Sequence, residues 1–264
     1  MGRITLTHLQ KLKRKKEKIA CLTAYDATFA KLVEQAGAEV ILVGDSLGMV
    51  VQGQDTTCPV SLQDMAYHCQ MVHRGTERAF IIADLPFMTY ATPEKTLESA
   101  AFLMREGQAQ MIKVEGGVWL TETIQLLVER GVPVCGHIGL TPQSVHQFGG
   151  YKVQGREISE AQRIKKEAHD LEKAGISLLV LECVPRDLAR QISQELTIPV
   201  IGIGAGQDCD GQVLVLYDML GMFDKSPSFV KNFLQQTDSI PEALQAYVQE
   251  VKSSEFPSVE HSFQ

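Results

Sequence analysis

The chain has 264 residues, 44% of them hydrophobic, and a formal net charge of −7. That acidic balance argues against a general nucleic-acid or anionic-membrane binder, since both reward a basic surface. Length alone leaves one large domain or two small ones open, though an α/β barrel typically takes about 250 residues as a single domain.

The first residues lack the apolar core of a signal peptide. No stretch approaches the roughly 18 uncharged apolar residues of a membrane span. One basic run lies between Lys11 and Lys18, with Lys13, Arg14, Lys15 and Lys16 inside it, and reads as a solvated N-terminal helix or arm. Six cysteines occur without any C-x-x-C pair, which suits a cytoplasmic protein with reduced thiols.

In chain order, Ile19 to Asp26 reads as a first strand and Thr28 to Gln35 as a helix ending at Gly37. Val40 to Val43 is a short apolar strand that stops at Gly44, Asp45 and Ser46. Residues 49 to 60 carry loop breakers, and Ser61 is placed to cap a helix running to about Arg74. The strand Phe80 to Ala83 ends at Asp84, after which Thr92 and Pro93 form an N-cap and first-turn pair.

The strand Met111 to Val114 ends at Glu115, and a helix from Thr121 to Arg130 follows. VPVCGHIGL (Val132 to Leu140) is the next strand with its exit. The polar loop Phe148 to Arg156 precedes a helix from about Ser159 to Ala174. The strand Leu178 to Leu181 ends at Glu182, before a helix from about Arg186 to Leu196 and the stretch Ile198 to Gly206. Gly211 to Asp218 reads as a last strand, and Pro241 to Lys252 as a late helix.

Eight apolar strands, mostly separated by helices, imply parallel pairing with both faces covered. A closed (β/α)₈ barrel, a TIM barrel in a single domain over residues 1–264, fits best; a doubly wound open sheet is the runner-up. Active sites on such barrels form at the carboxyl ends of the strands. Asp45, Asp84, Glu115, His137 and Glu182 would therefore converge on one rim.

Converging carboxylates repel: two unit charges about 4 Å apart cost roughly 4 kcal/mol at an effective dielectric near 20. Shared protons, nearby cations or a bound metal would hold such a cluster together. An all-oxygen set from Asp45, Asp84 and Glu115 suits a hard ion such as Mg²⁺. Individual acids could instead serve as N-caps or ion pairs. Lys113, on an otherwise apolar strand, is either a structural partner of Glu115 or an anchor for a substrate carboxylate, and the two roles are compatible. His137 is a base or an orienting group. Cys183 should point away from Glu182 and pack. GIGAG (Gly202 to Gly206) reads as a close backbone approach more than as a phosphate cradle.

The stretches VGDSLGMVVQG, IADLPFMTYAT, IKVEGG, VCGHIGLTPQS, GGYKVQGR, LLVLECVP, PVIGIGAG and DGQVLVLYD occur in order. Together they resemble the ketopantoate hydroxymethyltransferase family, from about Thr5 to the EHSF tail. Ser228 departs from the pattern, standing where a basic residue is common, and the segment after Gly155 is compact; both are expected to lie away from the site. The resemblance implies transfer of a one-carbon unit from 5,10-methylenetetrahydrofolate to 3-methyl-2-oxobutanoate, giving 2-dehydropantoate for pantothenate synthesis.

It further implies Mg²⁺ at Asp45 and Asp84 with Glu115 contributing, oxo-acid contacts from Ser46 and Lys113, and Glu182 as the proton-accepting base. A homo-oligomer, commonly a decamer, is also implied. The expected chemistry is a metal-stabilised enolate whose carbon attacks the folate methylene group. The glycine-flanked loop 149–155 is a candidate lid. The rivals are another Mg²⁺-dependent enolate enzyme of the phosphoenolpyruvate mutase and isocitrate lyase group, which would bring a catalytic cysteine loop not seen here, and a non-catalytic oxo-acid-binding barrel.

Overall fold

Eight strands pair in sequence order, each parallel to the next, and the eighth returns to the first. The computed structural model describes residues 2–264. The strands are β1 (Ile19–Thr23), β2 (Val40–Val43), β3 (Phe80–Asp84), β4 (Met111–Glu115), β5 (Val134–Gly139), β6 (Leu178–Glu182), β7 (Val200–Ile203) and β8 (Gly211–Leu214). Closure is made by β8 on β1, with Ile19 opposite Gly211 and Leu22 opposite Leu214. The expected (β/α)₈ barrel is the fold; the open-sheet alternative would leave two unpaired edges, and this sheet has none.

The helices are α1 (Leu6–Lys15), α2 (Ala27–Gln35), α3 (Leu47–Val50), α4 (Leu62–Gly75), α5 (Pro93–Arg105) and α6 (Thr121–Glu129). After them come α7 (Val145–Phe148), α8 (Ile158–Ala174), α9 (Arg186–Glu195), α10 (Leu216–Met219) and α11 (Ile240–Ser253). Their starts follow local chemistry. Asp26 accepts the N–H groups of Thr28 and Phe29, Ser61 and Asp64 form a reciprocal capping box, and Thr92 accepts from Lys95 ahead of Pro93. None of the helices among the described residues is long and apolar enough to cross a membrane.

Two segments add to or differ from the sequence reading. The basic run is the N-terminal helix expected, with Lys11, Arg14, Lys15 and Lys16 exposed, but its other face is packed. α1 lies across the amino ends of the strands, burying Leu9 and Leu12. Lys13 Nζ makes a 2.6 Å ion pair with Asp210 and donates at 2.9 Å to the Ser193 carbonyl. The last strand also stops early. The Leu216 N–H donates to Thr23 Oγ1 at 2.9 Å instead of to a strand neighbour, so Leu216 to Met219 turns into α10 and Asp218 lies on a helical turn.

Candidate active site

Each acid at a strand end is placed by the same device: an apolar strand buried on both sides, then an abrupt exit. Asp45 follows β2, Asp84 closes β3, Glu115 closes β4 and Glu182 closes β6. All four line one cavity of about 850 Å³ at the carboxyl rim, together with Ser46, Lys113 and His137. Asp45, Asp84, Lys113, Glu115 and His137 are buried, whereas Glu182 keeps 14% of its side chain exposed.

Lys113 stands between two of the acids. Its Nζ lies 2.9 Å from Asp84 Oδ1 and 3.6 Å from Glu115 Oε1. Burial alone would depress the lysine, but the charges of Asp84, Glu115 and Asp45 hold its pKa above the ordinary value. Burial also drives Asp45 and Asp84 upward, reinforced at Asp45 by the charge of Asp84 and opposed at Asp84 by Lys113. Glu115 goes the other way. The cost of its burial is outweighed by His137 and Lys113, and its pKa is lowered.

His137 bridges the cluster to Glu182, with Nδ1 3.1 Å from Glu115 Oε1 and Nε2 3.2 Å from Glu182 Oε2. Burial and Lys113 both disfavour its charged form, yet Glu115 and Glu182 raise it to about 9. The two carboxylates thus favour the charged ring. Its Nδ1 lies 3.1 Å from Glu115 Oε1 and 3.2 Å from Lys113 Nζ, donating to the first when protonated and accepting from the second when not.

Three residues in the arrangement escaped the sequence reading. Gln143 is buried and donates from Nε2 to Asp45 Oδ2 at 2.7 Å and to the Leu85 carbonyl at 2.9 Å. Its backbone N–H donates to Glu115 Oε2 at 3.0 Å, so one residue braces two acids. Tyr90 donates to Gln143 Oε1 at 2.5 Å and fixes the amide orientation. Tyr25 holds the Ser46 hydroxyl at 2.8 Å. Of the three, Gln143 had the best sequence signal, as the single amide in the short turn Thr141 to Ser144 after β5.

Glycines shape the rim at two places. Gly139, at a φ of 92°, stands where a Cβ would collide with the Glu182 carbonyl, so β5 can press against the end of β6. Gly204, at a φ of 60°, faces Phe229 and Phe263 with only 3.0 and 3.1 Å to spare for a Cβ. GIGAG is thus a close-approach turn. One expectation is qualified and one corrected. Cys183 packs in the core as expected, but its φ of 49° breaks the strand alternation and it also lines the cavity with Glu182. Ser228 also lines the cavity, because the chain after α10 folds back over the rim. Tyr151, Lys152 and Val153 of the loop after α7 complete that side.

Two buried atoms in this cluster lack a hydrogen bond, Asp84 Oδ1 and His137 Nε2. Each has an opposite charge nearby, but off the hydrogen-bond direction. Among the described residues, no three acids, imidazoles or thiols alone enclose a metal ion. Both Glu115 oxygens are engaged by His137 and Gln143, while Asp84 Oδ1 has only its ion pair with Lys113. This donor set fits a cation that takes two protein carboxylates and fills its other positions with water or substrate oxygens, as Mg²⁺ does.

The model of the family described as ketopantoate hydroxymethyltransferase matches residues 3–259. A 3-methyl-2-oxobutanoate hydroxymethyltransferase of Nitrosococcus oceani is 60% identical over 264 residues, covering 100% of both chains. Its counterpart in Alteromonas mediterranea is 58% identical over 265 residues, again covering 100% of both. Among solved structures, a putative phosphonomutase from Burkholderia cenocepacia gives a TM-score of 0.63 at 16% identity, over 83% of this chain and 95% of that one. A phosphonopyruvate hydrolase in complex with oxalate and Mg²⁺ gives 0.62 at 12% identity, over 97% and 96%. Those two likenesses are of fold. The full-length relatives are of another order, and by them the chain belongs to the ketopantoate hydroxymethyltransferase family and is a transferase.

Proposed function

We propose that the chain moves a one-carbon unit from 5,10-methylenetetrahydrofolate to 3-methyl-2-oxobutanoate, giving 2-dehydropantoate, in the cytoplasm. The observation that carries this reading is the division of the carboxylates. Asp45 and Asp84 lie side by side, with the Asp45 N–H donating to Asp84 Oδ2 at 3.1 Å. Glu182 stands apart from them, beyond His137 and more exposed.

Asp45 and Asp84 would hold Mg²⁺, with Glu115 contributing, and the bound cation would supply Lewis-acid polarisation of the oxo-acid oxygens. Ser46, steadied by Tyr25, offers its hydroxyl to the substrate, and Lys113 places an ammonium beside the acid's oxygens. Glu182 removes the C3 proton as general base, and His137 keeps that carboxylate oriented. C3 then bonds to the one-carbon unit. That carbon exchanges its two bonds to folate nitrogens for one to C3 and one to a hydroxyl from water. The C3 proton and the second water proton end on the two nitrogens. The loop carrying Tyr151 to Val153 closes over the substrates as a lid.

The test is exchange of the C3 proton of 3-methyl-2-oxobutanoate in D₂O with Mg²⁺, followed by NMR. Exchange should depend on metal and fall by about 10²–10⁴-fold in Glu182→Gln. Exchange untouched by that substitution would sink Glu182 as the base.

A further inference from the structure

The cavity is larger than the oxo acid needs. At about 850 Å³ it matches the roughly 300–1,000 Å³ that drug-sized ligands occupy, and a five-carbon acid is far smaller. The excess lies toward β7, β8 and the chain after α10, across the barrel from Glu115 on β4.

One polar group on this side has no evident work. Asp218, on the helical turn after β8, lines the cavity, and burial alone pushes its carboxyl up to about 6, with no hydrogen bond or cation acting on it. An isolated, largely buried carboxylate is costly and gains most from a ligand that brings N–H donors. The cavity wall on this side also carries aromatic rings. Phe229 and Phe263 pack edge to face with centroids 6.2 Å apart, and Phe223 lies on the same surface. Lys225 lines the cavity and is exposed.

We propose that Asp218 anchors the pterin ring of the folate co-substrate, accepting its two adjacent N–H groups, the ring amide and the exocyclic amine, while the ring lies against Phe229 and Phe263. A carboxylate presents two acceptors in a fork, which matches that donor pair. A flat heterocycle against phenylalanine faces and edges gains stacking. Lys225 then meets the carboxylates of the glutamate tail. This rests on folate being the one-carbon donor, as assigned above.

Asp218→Asn keeps the size and replaces one acceptor with a donor. The full-length variant is titrated with tetrahydrofolate, which needs no turnover, and assayed for KM toward each substrate. Tetrahydrofolate affinity should fall at least ~10-fold, equivalent to about 1.4 kcal/mol. KM should rise for the folate and not for the oxo acid, and Asp218→Glu should restore part of the loss. C3 exchange, which uses no folate, should persist and shows that the variant is folded. Unchanged tetrahydrofolate affinity in Asp218→Asn overturns the anchor. Joint loss of affinity and C3 exchange overturns it too, by revealing general damage. Absent exchange in the wild-type protein would overturn the reaction instead, and the titration would still decide the pterin anchor.

Discussion

An unpaired carboxylate at Asp218 works against folding at neutral pH. Its folded pKa of about 6 lies above the ordinary aspartate value of about 3.9. Between those values the folded chain holds the proton more tightly than the unfolded chain, so stability declines as pH rises through the window. The penalty is absent below about pH 4 and complete above about pH 6. Asp218→Asn should therefore be more stable than wild type at pH 7.5, by on the order of 1–2 kcal/mol once partial solvent exposure is allowed for. Urea unfolding across pH should show that gain vanishing toward pH 4. A variant less stable at pH 7.5 would mean that the carboxylate has a protein partner. Gln143 has the opposite character. Its amide orients Asp45 and its N–H orients Glu115, so Gln143→Ala should leave the chain folded and weaken Mg²⁺ binding about 10–100-fold by calorimetry. Asp45→Ala and Asp84→Ala should do so more strongly, and unchanged affinity in both would refute the shared metal site.

The elements show which parts of this site could be read in advance. Two helix starts were legible because capping is local: Ser61 and Thr92 each act on residues within three positions, whereas Asp26, read as the end of the first strand, proves to be the cap of α2. The acids at the strand ends were legible for a related reason, since the near-continuous apolar runs of buried parallel strands make an acid at their carboxyl ends stand out. Gln143 was not legible, because the oxygen it holds lies 98 residues away on Asp45. Nor was the end of β8, where apolar residues continue to Tyr217 but Thr23 takes the Leu216 N–H. α1 misled through composition. Its lysines suggested a solvated helix or arm, which holds for one face, while Leu9 and Leu12, one turn apart, carried the packing signal of the other. α1 closes the end of the barrel remote from the rim. Leu9→Ala should cost about 2–5 kcal/mol in urea unfolding while leaving both KM values unchanged. A changed KM would mean that the two ends of the barrel are coupled.

At the scale of the whole molecule, closure of the sheet forces charges together that no single element holds. Asp45, Asp84, Glu115 and Glu182 are four carboxylates, and Lys113 and the His137 imidazolium are two cations, so full ionisation leaves two negative charges in excess. Burial and mutual repulsion register that excess as raised pKa values at Asp45 and Asp84. A divalent cation matches it in sign and size. Because the proposed ligands come from different strands, that cation would bind the closed barrel and not the unfolded chain, and binding would add to stability by mass action. Mg²⁺ at about 100 times its Kd should contribute about 2.7 kcal/mol. In a chain of this size that raises Tm by several degrees, at roughly 2–4 °C per kcal/mol. Asp84→Asn removes one charge and weakens an expected oxygen donor, so its Tm should respond little to Mg²⁺ at the same concentration. An equal rise in wild type and Asp84→Asn would place the ion elsewhere on this acidic chain. A rise confined to the wild type would tie the charge surplus created by barrel closure to the cation expected to relieve it.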